Sequence, residues 1–252
     1  MRYAFAGDRL ISCKILEFIM SKGYSPLALL VSSEKINSHA KQLIDISKLE
    51  EGKIFWGNDF KKPQNIKSLK SLNLDYIIGI HFPYIIPLQV LNIPKIGFMN
   101  LHPAFLPFNK GWHTPSWAIY DGTKYGATLH FMSEELDAGD IVNQMETKVF
   151  PDDTANTLYQ RVMDTEVETF VESFDEIVSL NPQRKKQLKS GTSYQKKDLN
   201  SIRELYLEEK VLTKDLINKL RALTTNSWNE SGYFIKEGKK YGIQIKIKEI
   251  DE

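Results

Sequence analysis

Asn100 and His102 stand two positions apart in the run Phe98-Met99-Asn100-Leu101-His102-Pro103, at the end of an apolar strand. Alternate strand residues point to the same side, so an amide and an imidazole project together into the space beyond the strand. The pair suits acyl transfer, because an Asn amide donates to a developing oxyanion and a His takes or holds a proton near neutral pH. Taken alone, the pair also fits a satisfied structural histidine at a strand end. The segment Leu136-Asp137-Ala138-Gly139-Asp140 adds a carboxylate, with small residues beside Asp137 that let backbone and substrate approach closely. Asp137 could orient His102, although an acidic loop by itself reads equally as a solvated hairpin tip. A metal site built from His102, His113, His130 and Asp137 is disfavoured: histidines 11 and 17 residues apart lack the close pairing of common zinc sites.

The elements that must position these groups alternate between strand and helix. Residues 3–6 are a short apolar strand, Gly7-Asp8 turns it, and Leu10, Ile11, Ile15, Phe18 and Ile19 recur near helical spacing. Residues 27–31, a helical stretch through Ala40, Leu43 and Ile44, residues 54–56, a helix over 66–72 and a buried strand over 75–80 repeat the pattern. Such alternation predicts an α/β fold, a mostly parallel sheet with helices on both faces. Ligands of these sheets bind outside the carboxyl ends of the strands, which here means residues 7–9, 79–87 and the chain after Met99. The first turn lacks G-x-G-x-x-G, so a dinucleotide site is disfavoured; Arg9 in that turn reads either as a phosphate contact or as a solvated arginine.

Farther along, residues 125–132 and 141–150 read as two extended runs. Asp153 or Thr154 caps a long helix whose apolar face carries Leu158, Val162, Phe170, Phe174 and Ile177, and Asn181-Pro182 stops it. A basic connector over 183–201 holds Lys185, Lys186, Lys189, Lys196 and Lys197. Thr213 then caps a helix with Leu216, Ile217, Leu220 and Leu223, and residues 232–250 read as a hairpin turning at Glu237-Gly238.

The chain of 252 residues is long enough for one sizeable core and a small appendage. A net charge of +1 gives no field for gathering nucleic acid, and no apolar run reaches the roughly 20 residues that cross a bilayer. The lone cysteine, Cys13, suits a reducing compartment, and the first residues read as a strand rather than a secretory signal, so a cytoplasmic protein that binds neither nucleic acid nor membrane is expected.

With these residues in place, the sequence resembles the folate-dependent formyltransferases. Their N-x-H motif with a downstream D-x-G is met by Asn100, His102 and Asp137-Ala138-Gly139, and Leu106-Pro107, Lys110-Gly111, Pro115, Gly122, Gly126-Ala127-Thr128 and Asp153-Thr154 follow in the expected order. The resemblance implies a Rossmann-like, mostly parallel sheet with N10-formyltetrahydrofolate as cosubstrate and no metal. It places the pterin along Gly79, His81, Phe82, Ile85, Ile86 and Leu88, and against Leu136 and Asp140 in the acidic loop. It also implies that Asn100 and protonated His102 stabilise the oxyanion formed when an amine attacks the formyl carbon, with Asp137 setting the state of His102. A catalytic domain over 1–200 and a small helix and β-hairpin extension over 201–252 follow from the same comparison.

Within that family the chain looks most like the nucleotide-sugar N-formyltransferases. The loop Phe105-Leu106-Pro107-Phe108-Asn109-Lys110-Gly111-Trp112-His113 resembles their aromatic N-x-G-W loop, and the tail from Ile202 resembles their C-terminal extension. Phe105, Asn109, Lys110, Gly111, Trp112, His113 and Arg9 are therefore the expected contacts to a nucleotide-linked aminosugar, with rings on base or sugar and Lys110 on phosphate. Trp117 reads as packing, and Trp112 is balanced between packing and stacking. The family usually has Arg where Lys110 stands. The loop leans toward a 4-amino-4,6-dideoxysugar on UDP or GDP, used for surface polysaccharide or flagellin glycosylation, and the resemblance points to a homodimer. The alternatives are methionyl-tRNA or another formyltransferase, a formyltetrahydrofolate hydrolase, or an idle nucleotide-binding module.

Overall fold

The computed structural model describes residues 1–33, 39–188 and 190–250; Lys189 of the basic connector lies outside them. The chain begins with β1 (Tyr3–Gly7), every residue of which is buried, as a strand covered on both faces requires. There follow α1 (Arg9–Ser21), β2 (Ala28–Val31), α2 (Ala40–Ser47), β3 (Ile54–Trp56), α3 (Pro63–Ser71), β4 (Tyr76–Ile80), α4 (Leu88–Leu91) and β5 (Gly97–His102). Then come β6 (Lys110–Gly111), α5 (Thr114–Asp121), β7 (Gly126–Phe131), β8 (Ile141–Glu146), α6 (Ala155–Val178), β9 (Ser193–Tyr194), α7 (Thr213–Ala222), β10 (Gly232–Lys236) and β11 (Lys239–Ile243).

Seven strands make one sheet in the order β3-β2-β1-β4-β5-β7-β8. The pairs from β3 to β5 are parallel, and β7 runs antiparallel to β5. The mostly parallel sheet expected from the alternation, Rossmann-like as the resemblance implied, is thus present, with the C-terminal hairpin β10-β11 as a separate two-stranded sheet. Because β2 and β4 leave β1 on opposite sides, the strand order reverses between β1 and β4, the place where an α/β sheet opens a crevice.

Packing divides the chain into two compact units, Met1–His102 with Thr128–Gln144 and Glu166–Gln187, and Pro103–Ala127 with Met145–Thr165 and Leu188–Glu252. In the first, Ala4, Ala6, Leu30, Ile77 and Phe98 of the sheet pack with Phe55, Phe60, Leu69 and Val90. Phe18 of α1 meets Phe170 and Phe174 of α6 edge-on, at 6.5 and 5.1 Å between ring centres. In the second, Ala118 and Ile119 of α5, Leu158 and Val162 of α6 and Ala222 of α7 form one cluster, and Trp117, Leu199 and Leu223 form another.

Several local features differ from the sequence expectation. Thr213 is the first residue of α7 rather than its cap; Leu212 precedes it and no side chain caps that end. The start of α6 does carry a cap, for the Thr157 amide donates to Thr154 Oγ1 at 3.3 Å. The hairpin turns at Glu237 and Gly238, both left-handed, but its strands end at Ile243. No helix among the described residues is long and apolar enough to cross a membrane.

Candidate active site

In the first unit, β5 carries Asn100 and His102 toward its carboxyl end, flanked by β4 and β7. The register pairs Asn100 with Gly79 on one side and His130 on the other, and His102 with Thr128. His130 is almost fully buried, and its Nδ1 lies 2.8 Å from the carbonyl oxygen of Phe131. A carbonyl only accepts, so Nδ1 carries a hydrogen, and in the neutral ring Nε2 is then the acceptor. Asn100 Nδ2 stands 3.3 Å from that Nε2 and donates to it. One amide hydrogen of Asn100 is thereby anchored, and the plane of the amide is set.

Asp137 reaches the same place from the loop between β7 and β8. Its two carboxylate oxygens lie 3.6 Å from His102 Nε2 and 3.7 Å from His130 Nε2, and its side chain is 8% exposed. The His102 and His130 rings meet edge to face, 6.4 Å apart. Two imidazoles, one amide and one carboxylate therefore gather at one corner of the sheet, in surroundings that exclude most water. Partly dehydrated charges act more strongly on a developing oxyanion than they would in bulk solvent.

The loop that carries Asp137 is held by its backbone. Asp137 itself is left-handed, with φ of 49°. Gly139 lies so close to the carbonyl of Phe131 that a Cβ would fall on its oxygen. Gln187 Nε2 donates to the carbonyls of both Asp137 and Gly139, at 2.8 Å each. Gln187 does not stand out as a site residue in the sequence, and His130 does so only in the disfavoured metal set. His130 stands opposite Asn100 only through the pairing of β5 with β7, which a single sequence does not show, and Gln187 lies unmarked within a basic connector.

Gly79 ends up beside Asn100 in register, and His81 follows β4 in a left-handed conformation with φ of 50°. Beyond it, Ile85 and Leu88 are largely exposed, as is Leu136 in the acidic loop. Ile86 is buried in the core, and Phe82 packs on Phe60 and Tyr84, with ring centres 5.5 and 5.0 Å apart. The backbone of Asp140 accepts from Phe131 N at 2.8 Å. Arg9 is mostly exposed and lies 3.7 Å from the buried Asp8.

His81 has a partner that the motifs did not reveal: its Nε2 lies 2.8 and 3.1 Å from the two carboxylate oxygens of Glu166, a fully buried residue of α6. Burial alone would lower the pKa of this ring, but the charge and hydrogen bond of Glu166 outweigh it and raise the pKa above that of an ordinary histidine. The position was legible in one respect, for residue 166 falls on the apolar face between Val162 and Phe170, where a charge is unexpected.

In the second unit the aromatic loop is fixed by short pairings. Lys110 and Gly111 pair in parallel with Ser193 and Tyr194. Asn109 is fully buried, its side-chain amide donates to Thr123 Oγ1 at 2.9 Å and its backbone amide to Thr192 Oγ1 at 2.8 Å, so it shapes the loop from inside. Trp112 is 50% exposed, with Lys196 Nζ 5.2 Å over its ring, and Lys124 Nζ lies 5.4 Å over Phe105. His113 Nδ1 lies 3.9 Å from Glu230, and burial lowers its pKa despite that carboxylate. Trp117 stacks on Tyr194 at 3.9 Å between ring centres. Among the described residues, no group of three or more His, Cys, Asp or Glu is arranged to hold a metal ion.

Residues 28–174 match the family model described as formyl transferase, and residues 198–249 match that of an N-formyltransferase dimerization C-terminal domain. A dTDP-4-amino-4,6-dideoxyglucose formyltransferase of Mycobacterium tuberculosis (strain ATCC 25618 / H37Rv) is 30% identical over 171 residues, covering 68% of this chain and 72% of the relative. The crystal structure of a 4-N formyltransferase from Francisella tularensis superimposes with a TM-score of 0.79 at 26% identity, covering 98% of each chain. That of an N-formyltransferase from Helicobacter canadensis, in complex with folinic acid and dTDP-3-aminofucose, has a TM-score of 0.71 at 20% identity and covers 92% of this chain and 86% of the other.

Proposed function

We propose, on the premise that this chain belongs to the formyl transferase family, that it moves the formyl group of N10-formyltetrahydrofolate onto the 4-amine of a nucleotide-linked 4-amino-4,6-dideoxysugar. It is an enzyme, a sugar N-formyltransferase. The observation that carries the chemistry is the gathering of Asn100, His102, His130 and Asp137 at one corner of the sheet. Its relatives support the acceptor: the Mycobacterium tuberculosis enzyme acts on a 4-amino-4,6-dideoxy sugar, and the Francisella tularensis enzyme is a 4-N formyltransferase. The exposed Trp112, with Lys196 over its ring, is where we expect a base or sugar face to stack, and Lys110 is the expected phosphate contact. The carrier nucleotide is dTDP, UDP or GDP, and the assay below separates them.

In the reaction, the neutral sugar amine attacks the formyl carbon of the folate to give a tetrahedral intermediate. The second hydrogen of the Asn100 amide, the one not held by His130, donates to the oxyanion. His102 as imidazolium also stabilises that oxyanion; it gives its proton to the departing folate nitrogen and, as the neutral ring that results, takes the proton released by the attacking amine. The bond from that nitrogen to the formyl carbon breaks as the sugar amide forms. Asp137, at 3.6 Å, faces the His102 ring and orients it toward the intermediate. The folate ring system is proposed to lie along the exposed Ile85 and Leu88 and against Leu136, with backbone of residues 79–88 as its polar contacts. Ile86 and Phe82 would support that segment from beneath.

The reaction is placed in the cytoplasm, in keeping with a single, buried, unpaired cysteine, and the product is destined for a surface glycan. The chain is proposed to work as a homodimer through residues 198–249, the part that matches a dimerization domain. Purified protein mixed with formyl-folate alone, then with dTDP-, UDP- and GDP-aminosugars, tests the proposal: formylated sugar is expected with one carrier. Rapid formate release without sugar would show a hydrolase instead. His102→Ala is expected to abolish transfer while nucleotide-sugar binding, read by calorimetry, survives; unchanged turnover would remove His102 from the scheme.

A further inference from the structure

His81 opens the segment proposed above to hold the folate, and it does so in a left-handed conformation that residues with a side chain rarely adopt. Something must hold it there. Its ring contacts both oxygens of Glu166, and Glu166 is fully buried at the one place where the apolar face of α6 carries a charge. Packing alone would be met by an apolar side chain, and a carboxylate out of water is costly unless it is paired. The pair lies at the carboxyl end of β4, beside the end of β1, where the strand order reverses. Resting on the folate reading above, we propose that Glu166 is a positioning residue for the folate: its buried carboxylate clamps His81 and so fixes the direction in which the pterin-facing segment leaves β4.

The charged groups that face His81 come from three elements. Glu166 on α6 favours the imidazolium, as does Asp8 at the end of β1, and Arg9 at the start of α1 opposes it. Asp8 is itself fully buried, and neither of its carboxylate oxygens has a hydrogen-bond partner among the described residues, so the imidazolium has two carboxylates to balance against one guanidinium. The sum holds the proton on His81 to a higher pH than an ordinary histidine would. The clamp is therefore tightest on the acid side of the raised value and loosens as pH rises through it.

The test compares the full-length wild type with Glu166→Gln and His81→Asn, measuring KM for N10-formyltetrahydrofolate and for the sugar, kcat, and folinic acid affinity across pH. Gln keeps a hydrogen bond without the charge, and Asn tolerates the left-handed backbone. Glu166→Gln is expected to raise the folate KM about tenfold while sugar KM and kcat move by less than about twofold, as loss of a pre-organised binding segment predicts. Wild-type folate KM should climb as pH passes the raised His81 value. The climb should start at lower pH in Glu166→Gln and vanish in His81→Asn, whose folate KM stays high throughout. A merely structural Glu166 would lower thermal stability and leave the folate KM and its pH profile untouched, which overturns the clamp. Should Glu166→Gln not fold, His81→Asn decides: a wild-type pH profile in that variant overturns the proposal. Wild type that fails to bind folinic acid would sink the folate reading itself, whereas equal affinity in all three proteins sinks only the clamp.

Discussion

At the level of single residues, the site depends on how hydrogens are distributed. His130 holds its hydrogen on Nδ1 for the Phe131 carbonyl, and so presents Nε2 to Asn100, leaving one amide hydrogen of Asn100 to aim at the oxyanion. Asn100→Ala removes the donor, and kcat is expected to fall on the order of 10²- to 10³-fold. His130→Phe fills the buried space but releases the amide, so kcat should fall by about tenfold, less than in Asn100→Ala. Because His130 acts through Asn100, the double variant should be no slower than Asn100→Ala alone. Additive losses, read from steady-state kinetics of all four proteins, would mean that His130 acts on the reactants by another route. Asn100 and His102 were legible because a period of two on a strand sends both to one side. His130 was not, since its role depends on which strand lies next to β5, and pairing order is invisible in a single sequence.

Among elements, the β7-β8 loop and the β4 end both hold a site residue, Asp137 and His81, in a left-handed conformation. A Cβ on Gly139 would strike the Phe131 carbonyl, so Gly139→Ala must push the loop and move Asp137 with it. We expect a loss of about 1–3 kcal/mol in stability from overpacking, measured by denaturant titration, with a fall in kcat beyond that explained by unfolded protein. At the β4 end, the folded-state pKa of His81 is raised, so its bond to Glu166 contributes stability that is fully present below the ordinary histidine value of about 6.5 and lost as pH rises through the folded value. The melting temperature of wild type should fall across that window relative to His81→Asn; parallel curves would deny the linkage. The long elements were plain in the sequence, from the buried run of β1 to the apolar face of α6, because periodicity reports burial. The two-residue pairing of β6 with β9 was not, for it spans more than 80 residues of chain, and its residues carry no strand pattern. Glu166 lay between: a lone charge on an apolar helical face was visible, but its partner on β4 was not.

For the molecule as a whole, the question is whether residues 201–252 are an appendage or part of a core. In the second unit Ala222 packs with Ala118, Ile119 and Leu158, and Leu223 with Trp117 and Leu199. Arg221, only 9% exposed, donates to the carbonyls of Asp153 at 2.7 Å and Phe150 at 2.5 Å. Burial disfavours its charge, which Asp153 and Asp152 partly restore, so this guanidinium is held where bonds to carbonyl oxygens compensate for lost water. Arg221→Ala leaves both carbonyls without that partner, and a cost of about 2–4 kcal/mol is expected in thermal or denaturant unfolding. Cutting the chain after residue 200 goes further, for it strips the cover from Trp117, Ile119 and Leu158 and leaves apolar surface with no partner. The shortened chain is therefore expected to aggregate or melt well below the full one even if it holds every residue of the Asn100 corner. If it instead stays monomeric, with wild-type melting temperature and activity, the tail contributes nothing to the core and serves association alone. Sedimentation of both chains separates these outcomes, since the full chain should run as a dimer and Arg221→Ala should keep that state at temperatures where it remains folded.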